Sequence, residues 1–91
     1  MMHIDEVIYI DNLPKIDLHG ENSETARVLI NDFINDNYKQ KNNLFCIVHG
    51  IGSGLLRTTT SDTLRKNKKV IAYKTYYYNQ GCTLVEINLD K

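Results

Sequence analysis

Leu44-Phe45-Cys46-Ile47-Val48-His49-Gly50-Ile51-Gly52-Ser53-Gly54-Leu55-Leu56-Arg57 decides the architecture of this chain of 91 residues. Its first five residues are apolar without alternation, the pattern of a central parallel strand that is covered on both faces or set deep in a sheet. His49-Gly50 stops the strand, and alternating glycines lead into a second helical stretch from Leu55 to about Lys66. That helix is expected despite Thr58-Thr59-Thr60, a β-branched run of low helix propensity. Upstream, Ile16-Asp17-Leu18-His19-Gly20 repeats the same device: a short strand, a His-Gly stop, then a helix. Asn22 or Ser23 caps this first helix, Glu24 complements its dipole, and it runs to about Tyr38. Ala26, Leu29, Ile30, Phe33, Ile34 and Tyr38 form one stripe at the helical period, made to pack on a sheet.

Downstream, Lys66-Asn67-Lys68-Lys69 turns the chain into a strand over Val70 to Tyr78, and Asn79-Gln80-Gly81 turns it back into Cys82 to Leu89. In that last strand Thr83, Val85, Ile87 and Leu89 share a face, with Glu86 and Asn88 opposite. The expected fold is an α/β two-layer sandwich in the order βαβαββ, with two helices on a mixed four-stranded sheet. Residues 15–91 form its single domain. Residues 1–14, with the apolar run Val7-Ile8-Tyr9-Ile10, are an N-terminal arm or an added edge strand.

With 42% apolar and 24% charged residues the composition is that of a globular chain, and for 91 residues a single domain rather than a multidomain enzyme is expected. No apolar run reaches the roughly 20 residues of a membrane helix, and the first residues are acidic where a signal peptide is basic. A cytoplasmic protein without membrane association is expected. Two cysteines, Cys46 and Cys82, are too few for a disulfide framework and sit in apolar, strand-like surroundings. No CxxC, HxxxH or HExxH spacing points to structural zinc.

The net charge of zero hides a division: residues 1–38 carry eight acids and two bases, and residues 39–91 carry nine bases and three acids. Arg57, Arg65, Lys66, Lys68, Lys69 and Lys74 cluster against Asp62 alone, the footprint of a phosphate-binding surface or of a solvated helix end. His19 and His49 both close strands at the edge where an open α/β sheet binds ligands. Asp17 and His19 lie two residues apart and are expected to share a face, where the carboxylate orients the imidazole as a general base or caps the loop itself. Gly50, Gly52 and Gly54 allow a nest of main-chain N–H groups at a helix N-terminus, with Arg57 in its first turn. The loop lacks Gly-Lys-Ser/Thr and the dinucleotide spacing, so no nucleotide cofactor is expected. Tyr73, Tyr76, Tyr77 and Tyr78 are expected chiefly to fill the core and cover the sheet edge, with stacking on unpaired bases as the alternative.

Taken together, Ile16-Asp17-Leu18-His19-Gly20, Val48-His49-Gly50-Ile51-Gly52-Ser53-Gly54-Leu55-Leu56-Arg57 and Gly81-Cys82-Thr83-Leu84-Val85-Glu86-Ile87 closely resemble the Smr (small MutS-related) domain over residues 15–89. Smr domains stand alone or close a subgroup of bacterial MutS-like ATPases, and this chain looks like the stand-alone form. The resemblance implies a fold similar to the C-terminal domain of bacterial translation initiation factor 3. It also implies an endonuclease that nicks DNA or cleaves RNA, in DNA repair, recombination or ribosome rescue, or a module that binds nucleic acid or the ribosome without cleaving. It assigns Asp17 and His19 to the catalytic positions and His49, Gly50, Gly52, Gly54 and Arg57 to the substrate-binding loop. Beyond the resemblance, His49 is expected to act as an acid or hold the phosphate, and Gly20, Ser53, Lys68 and Lys69 are expected to join the phosphate-binding residues. On RNA the 2′-hydroxyl attacks without a metal; on DNA water attacks, and Mg²⁺ or Mn²⁺ held by Asp17 and His19 becomes the expected helper. The threonine run and the short Asn79-Gln80-Gly81-Cys82 loop depart from the family pattern and bear on loop geometry and substrate preference.

Overall fold

The computed structural model describes residues 1–52 and 54–90. Strand β1 (Lys15–Asp17) leads to helix α1 (Ser23–Lys39), strand β2 (Leu44–Val48), helix α2 (Leu55–Lys66) and the hairpin of β3 (Val70–Tyr76) and β4 (Asn79–Ile87). The sheet order is β1-β2-β4-β3, with β1 parallel to β2 and the other pairs antiparallel. The two-layer βαβαββ architecture expected from the sequence is the one observed. α1 starts at Asn22, whose side-chain oxygen accepts from the Thr25 N–H at 2.8 Å, so of the two expected caps Asn22 is the one used.

β2 is apolar throughout because both of its faces are covered. On one face Phe45 and Ile47 join Ala26, Ile30 and Ile34 of α1 and Leu64 of α2 in the main core, where Phe33 meets Phe45 edge-on at 5.2 Å. On the other face Leu44 and Cys46 join Leu84 and Ile4 in a second cluster, packed over by Val7, Ile10 and Leu13. The N-terminal residues therefore make no strand over Val7–Ile10. They form a 3₁₀ turn at Ile4–Glu6 and lie on the outer face of the sheet.

That docking buries Glu86, on the face of β4 opposite Val85 and Ile87. Glu86 is 5% exposed, and its carboxylate accepts from the Ile4 N–H at 2.9 Å and meets His3 Nδ1 at 2.7 Å. A buried carboxylate needs such partners, and the arm supplies them. The threonine run is tolerated because Thr59, Thr60 and Thr63 are buried, and the Thr63 hydroxyl donates to the Thr59 carbonyl at 2.7 Å. Burial holds both cysteines as unpaired small hydrophobes, and it pushes the Cys46 thiol up to about 11. Among the described residues, no helix is long and apolar enough to cross a membrane.

The hairpin turn lies at Tyr77–Tyr78, two residues before the expected Asn79-Gln80-Gly81. Thr75 pairs with Thr83 while Tyr76 pairs with Asn79, so Gln80–Cys82 bulge away from β3 while Cys82 stays paired with Val48 of β2. The fold's energetics predict that Phe45→Ala lowers unfolding free energy by about 3–5 kcal/mol. Asn22→Ala, which removes only a helix cap, lowers it by about 1 kcal/mol. Urea denaturation of the two variants against the parent protein measures both.

Candidate functional site

Parallel pairing of Asp17 with Val48 brings the carboxyl ends of β1 and β2 side by side. Leu18, fully buried, donates its N–H to the Val48 carbonyl at 2.7 Å, and the chain then turns through His19 and Gly20, the latter at φ +85°. Ile16 packs against the helix-side core, so alternation sends Asp17 to the opposite face, while His19 lies beyond the strand in the turn. Ile16 and Leu18 both turn to the helix-side core, and β1 ends at Asp17, so His19 follows Asp17 outside the strand ladder. Asp17 Oδ1 accepts the main-chain N–H of His19 at 2.9 Å, an Asx turn that fixes where the imidazole starts. The ring of His19, an exposed residue, takes no hydrogen bond among the described residues.

The second His-Gly sequence is held differently. The Gly81 carbonyl accepts from both His49 N–H at 2.8 Å and Gly50 N–H at 3.0 Å, which clamps the root of the glycine loop to the bulge of β4. A Cβ on Gly81 would stand 3.2 Å from Asn79 Oδ1 and 3.3 Å from Gly50 Cα, so the glycine there serves a close approach of two chain segments and not a turn. Gly54, at φ +86°, is the residue from which α2 departs. His49 is buried, with Nδ1 2.9 Å from the Gly50 carbonyl and Nε2 2.8 Å from the Thr83 hydroxyl. A carbonyl only accepts, so Nδ1 carries the proton and Nε2 accepts from Thr83. Burial pushes the His49 pKa below its ordinary 6.5, the bond to Gly50 opposes this, and the charge of Arg57 adds to the lowering. His49 is therefore a neutral ring with both nitrogens engaged inside the chain.

Arg57 donates from Nη2 to the Gln80 carbonyl at 3.0 Å, and its buried Nε has no partner among the described residues. The His19–Gly20–Glu21 turn, the glycine loop and the first turn of α2 together enclose an open cleft of about 430 Å³. Thus His19, Gly20, His49, Gly50, Gly52, Gly54 and Arg57 meet at one place. Asp17 reaches it through the His19 main chain, and Ser53 lies outside the described residues.

Lys68 and Lys69 are not brought there. They follow the far end of α2, a helix of 12 residues, hence about 18 Å of axis from the glycine loop, where they line a separate groove with Arg27 and Lys66. Sequence spacing alone hid this because the intervening helix separates the two groups. Among the described residues no three His, Cys, Asp or Glu side chains gather as a metal site. Asp17 and His19 offer two donors at most, so an ion there would need substrate phosphate and water oxygens for the rest of its shell. The supporting roles of Gln80, Gly81 and Thr83 were not legible: their function is carried by two carbonyls and one hydroxyl, which any strand contains.

Residues 16–88 match the family model of the Smr domain. Among curated proteins the chain is 31% identical over 80 residues to endonuclease MutS2 of Alkaliphilus metalliredigens, covering 85% of this chain and 10% of that protein. It is 34% identical over 78 residues to endonuclease MutS2 of Clostridium perfringens, covering 86% and 10%. The chain thus spans about a tenth of the length of these relatives. Among solved structures it is similar to the Smr domain of Thermus thermophilus MutS2, with TM-score 0.81, 22% identity, and 84% of this chain and 99% of that one covered. It is also similar to YdaL, a stand-alone small MutS-related protein from Escherichia coli, with TM-score 0.73, 19% identity, and coverage of 81% and 63%.

Two outcomes follow from the loop's supports. Gly81→Ala presses a methyl group on the Gly50 backbone and is expected to destabilise the protein by about 1–3 kcal/mol, read by urea denaturation. For His49, the unfolded ring takes up a proton near pH 6.5 that the folded ring refuses, so its contribution to stability is complete above that pH and is lost as pH falls through it. The gap in urea midpoint between the parent protein and His49→Asn should therefore narrow between about pH 7.5 and about pH 5.5.

Proposed function

The chain belongs to the Smr domain family, and on that footing we propose that it is a phosphodiester-cleaving endonuclease whose reaction centre is the cleft between the His19 turn and the glycine loop. The observation that carries this reading is the convergence of an imidazole with no hydrogen bond among the described residues, a glycine loop opening a helix, and a fixed guanidinium around one open cleft. A scissile phosphate seated there meets main-chain N–H groups and the positive end of α2, and Arg57 offers its remaining N–H donors to the developing charge. Arg57 is already oriented by the Gln80 carbonyl, so little side-chain freedom is lost when the phosphate arrives.

His19 is the general base of this reading. On RNA it takes the proton of the 2′-hydroxyl, whose oxygen attacks phosphorus as the bond to the 5′-oxygen breaks, leaving a 2′,3′-cyclic phosphate and a 5′-oxygen that takes its proton from water. On DNA it takes a proton from water, whose oxygen attacks phosphorus as one P–O ester bond breaks, and the leaving oxygen is again protonated by water. Asp17 acts on His19 through the turn and is a positioning residue. His49, closed to substrate at both nitrogens, holds the loop through Thr83 and Gly50 rather than transferring a proton. Any Mg²⁺ or Mn²⁺ would sit between Asp17, His19 and the substrate's own oxygens, supplying charge neutralisation.

That, among the described residues, His19 alone offers an unengaged ring at the cleft favours a second reading, in which the cleft binds nucleic acid or the ribosome and does no chemistry. Labelled single-stranded RNA and duplex DNA, each with EDTA or Mn²⁺, separate the two. The endonuclease reading expects cleavage that falls by about 10²–10⁴-fold in His19→Ala with affinity retained, and the product ends identify the attacking group. Binding without cleavage under every condition establishes the docking module instead. Arg57→Ala is expected to weaken binding and to reduce the slope of log affinity against log salt by about one.

A further inference from the structure

The tyrosines at the β3–β4 turn have no part in the reading above, and their placement departs from the core-filling role expected of them. Tyr73 packs on the main core, but Tyr77 is 86% exposed, Tyr78 64%, and Tyr9 of the N-terminal arm 73%. Their rings nevertheless form one cluster. Tyr9 and Tyr78 stand near parallel, 15° apart in plane with centroids at 6.4 Å. Tyr77 and Tyr76 meet Tyr78 edge-on at 4.9 and 5.7 Å. The Tyr76 hydroxyl donates to the Ile8 carbonyl at 2.9 Å, which ties the arm that carries Tyr9 to the strand that leads to Tyr78.

The position of this cluster gives it meaning. The Tyr77–Tyr78 turn runs directly into Gln80 and Gly81, whose carbonyls hold Arg57, His49 and Gly50 at the cleft. Four residues of chain reach at most about 14 Å, so the exposed rings stand a few nucleotides or less from the phosphate position. A ring face left in water beside a phosphate site fits the face of a base, and only an unpaired base has a face to offer, since in a duplex both are covered by neighbours. Charge agrees with this division of labour. Lys74 is engaged by Asp5 at 3.4 Å and Asp11 lies close enough to act on Tyr76, so the platform has little net attraction for phosphate and its contribution must come from stacking.

We propose that Tyr9, Tyr77 and Tyr78 form a stacking platform for unpaired bases of a strand whose phosphate occupies the neighbouring cleft, making single-stranded nucleic acid the substrate class of this chain. The inference rests on the nucleic-acid reading of the cleft, and its test separates the two. The chain has six tyrosines and no tryptophan, so intrinsic tyrosine emission reports on the rings directly. Oligo(dT) of about 12 nucleotides, whose bases stack without sequence readout, and a blunt duplex of equal length are titrated in EDTA at several salt concentrations. The expected result is quenching by oligo(dT). Affinity for it falls about tenfold in Tyr77→Ala and in Tyr78→Ala, with the salt slope unchanged, and is retained in Tyr78→Phe. Duplex affinity is unchanged in all three. Oligo(dT) binding that is equal in the parent and both alanine variants overturns the platform and leaves the cleft reading intact, as does an equal loss for the duplex. Self-association abolished by Tyr77→Ala with oligo(dT) affinity unchanged assigns the patch to a second copy of the chain and overturns it too. No binding to either nucleic acid removes both readings.

Discussion

Everything in this molecule hangs on β2 being covered twice. A strand with no polar face cannot sit on a one-layer surface, and in a chain of this length two helices cover only one side. The helix side is closed by α1 and α2 over Phe45 and Ile47; the other side is closed by the N-terminal arm over Leu44 and Cys46. With β2 fixed between β1 and β4, its carboxyl end becomes the one point where a parallel neighbour and an antiparallel neighbour meet. The cleft is a consequence of that junction. β1 contributes the His19 turn, β2 continues into the glycine loop, and the bulge of β4 contributes the carbonyls that hold the loop in place.

The bulge explains how a loop of three positive-φ glycines stays ordered enough to act. Each glycine enlarges the unfolded ensemble and so opposes folding, and Gly50, Gly52 and Gly54 stand within five residues. Two hydrogen bonds to one carbonyl at Gly81, a buried imidazole bridging Gly50 and Thr83, and the Arg57–Gln80 bond all act on the ends of that segment. These contacts pin the described ends of the segment. The same economy accounts for the neutral His49. A charged ring could not accept from the Thr83 hydroxyl, so burial and the nearby Arg57 favour the protonation state that the loop needs.

Much of this was legible in the residues. The unbroken run 44–48, the helical stripe from Ala26 to Tyr38 and the repeated His-Gly stops specify the order of elements, because periodicity and chain-stopping glycines are local signals. What was not legible is tertiary. Gly81 reads as a turn residue, yet its lack of a side chain serves contact with Gly50, and the turn falls on Tyr77–Tyr78. Lys68 and Lys69 read as part of one basic cluster with Arg57, yet a helix separates them. Asp17 and His19 read as strand neighbours on one face, yet β1 ends at Asp17 and the pair communicates through the backbone. Glu86 reads only as lying opposite Val85 and Ile87, because the partners that bury it lie more than 80 residues away in sequence.

That last contact sets the character of the arm. Glu86 is buried only because the arm lies over it; lifted away, the arm would return both the carboxylate and the Ile4 N–H to water rather than strand them unpaired. The hydrogen bonds therefore specify where the arm docks without adding much to how tightly it docks. Tightness comes from Ile4, Val7, Ile10 and Leu13 against Leu44, Cys46 and Leu84, which would otherwise leave an apolar stripe exposed on the sheet. An element seated by these contacts is placed accurately on the sheet. Because Tyr9 rides on it, the ring cluster beside the cleft is assembled by the same packing that closes the second face of β2.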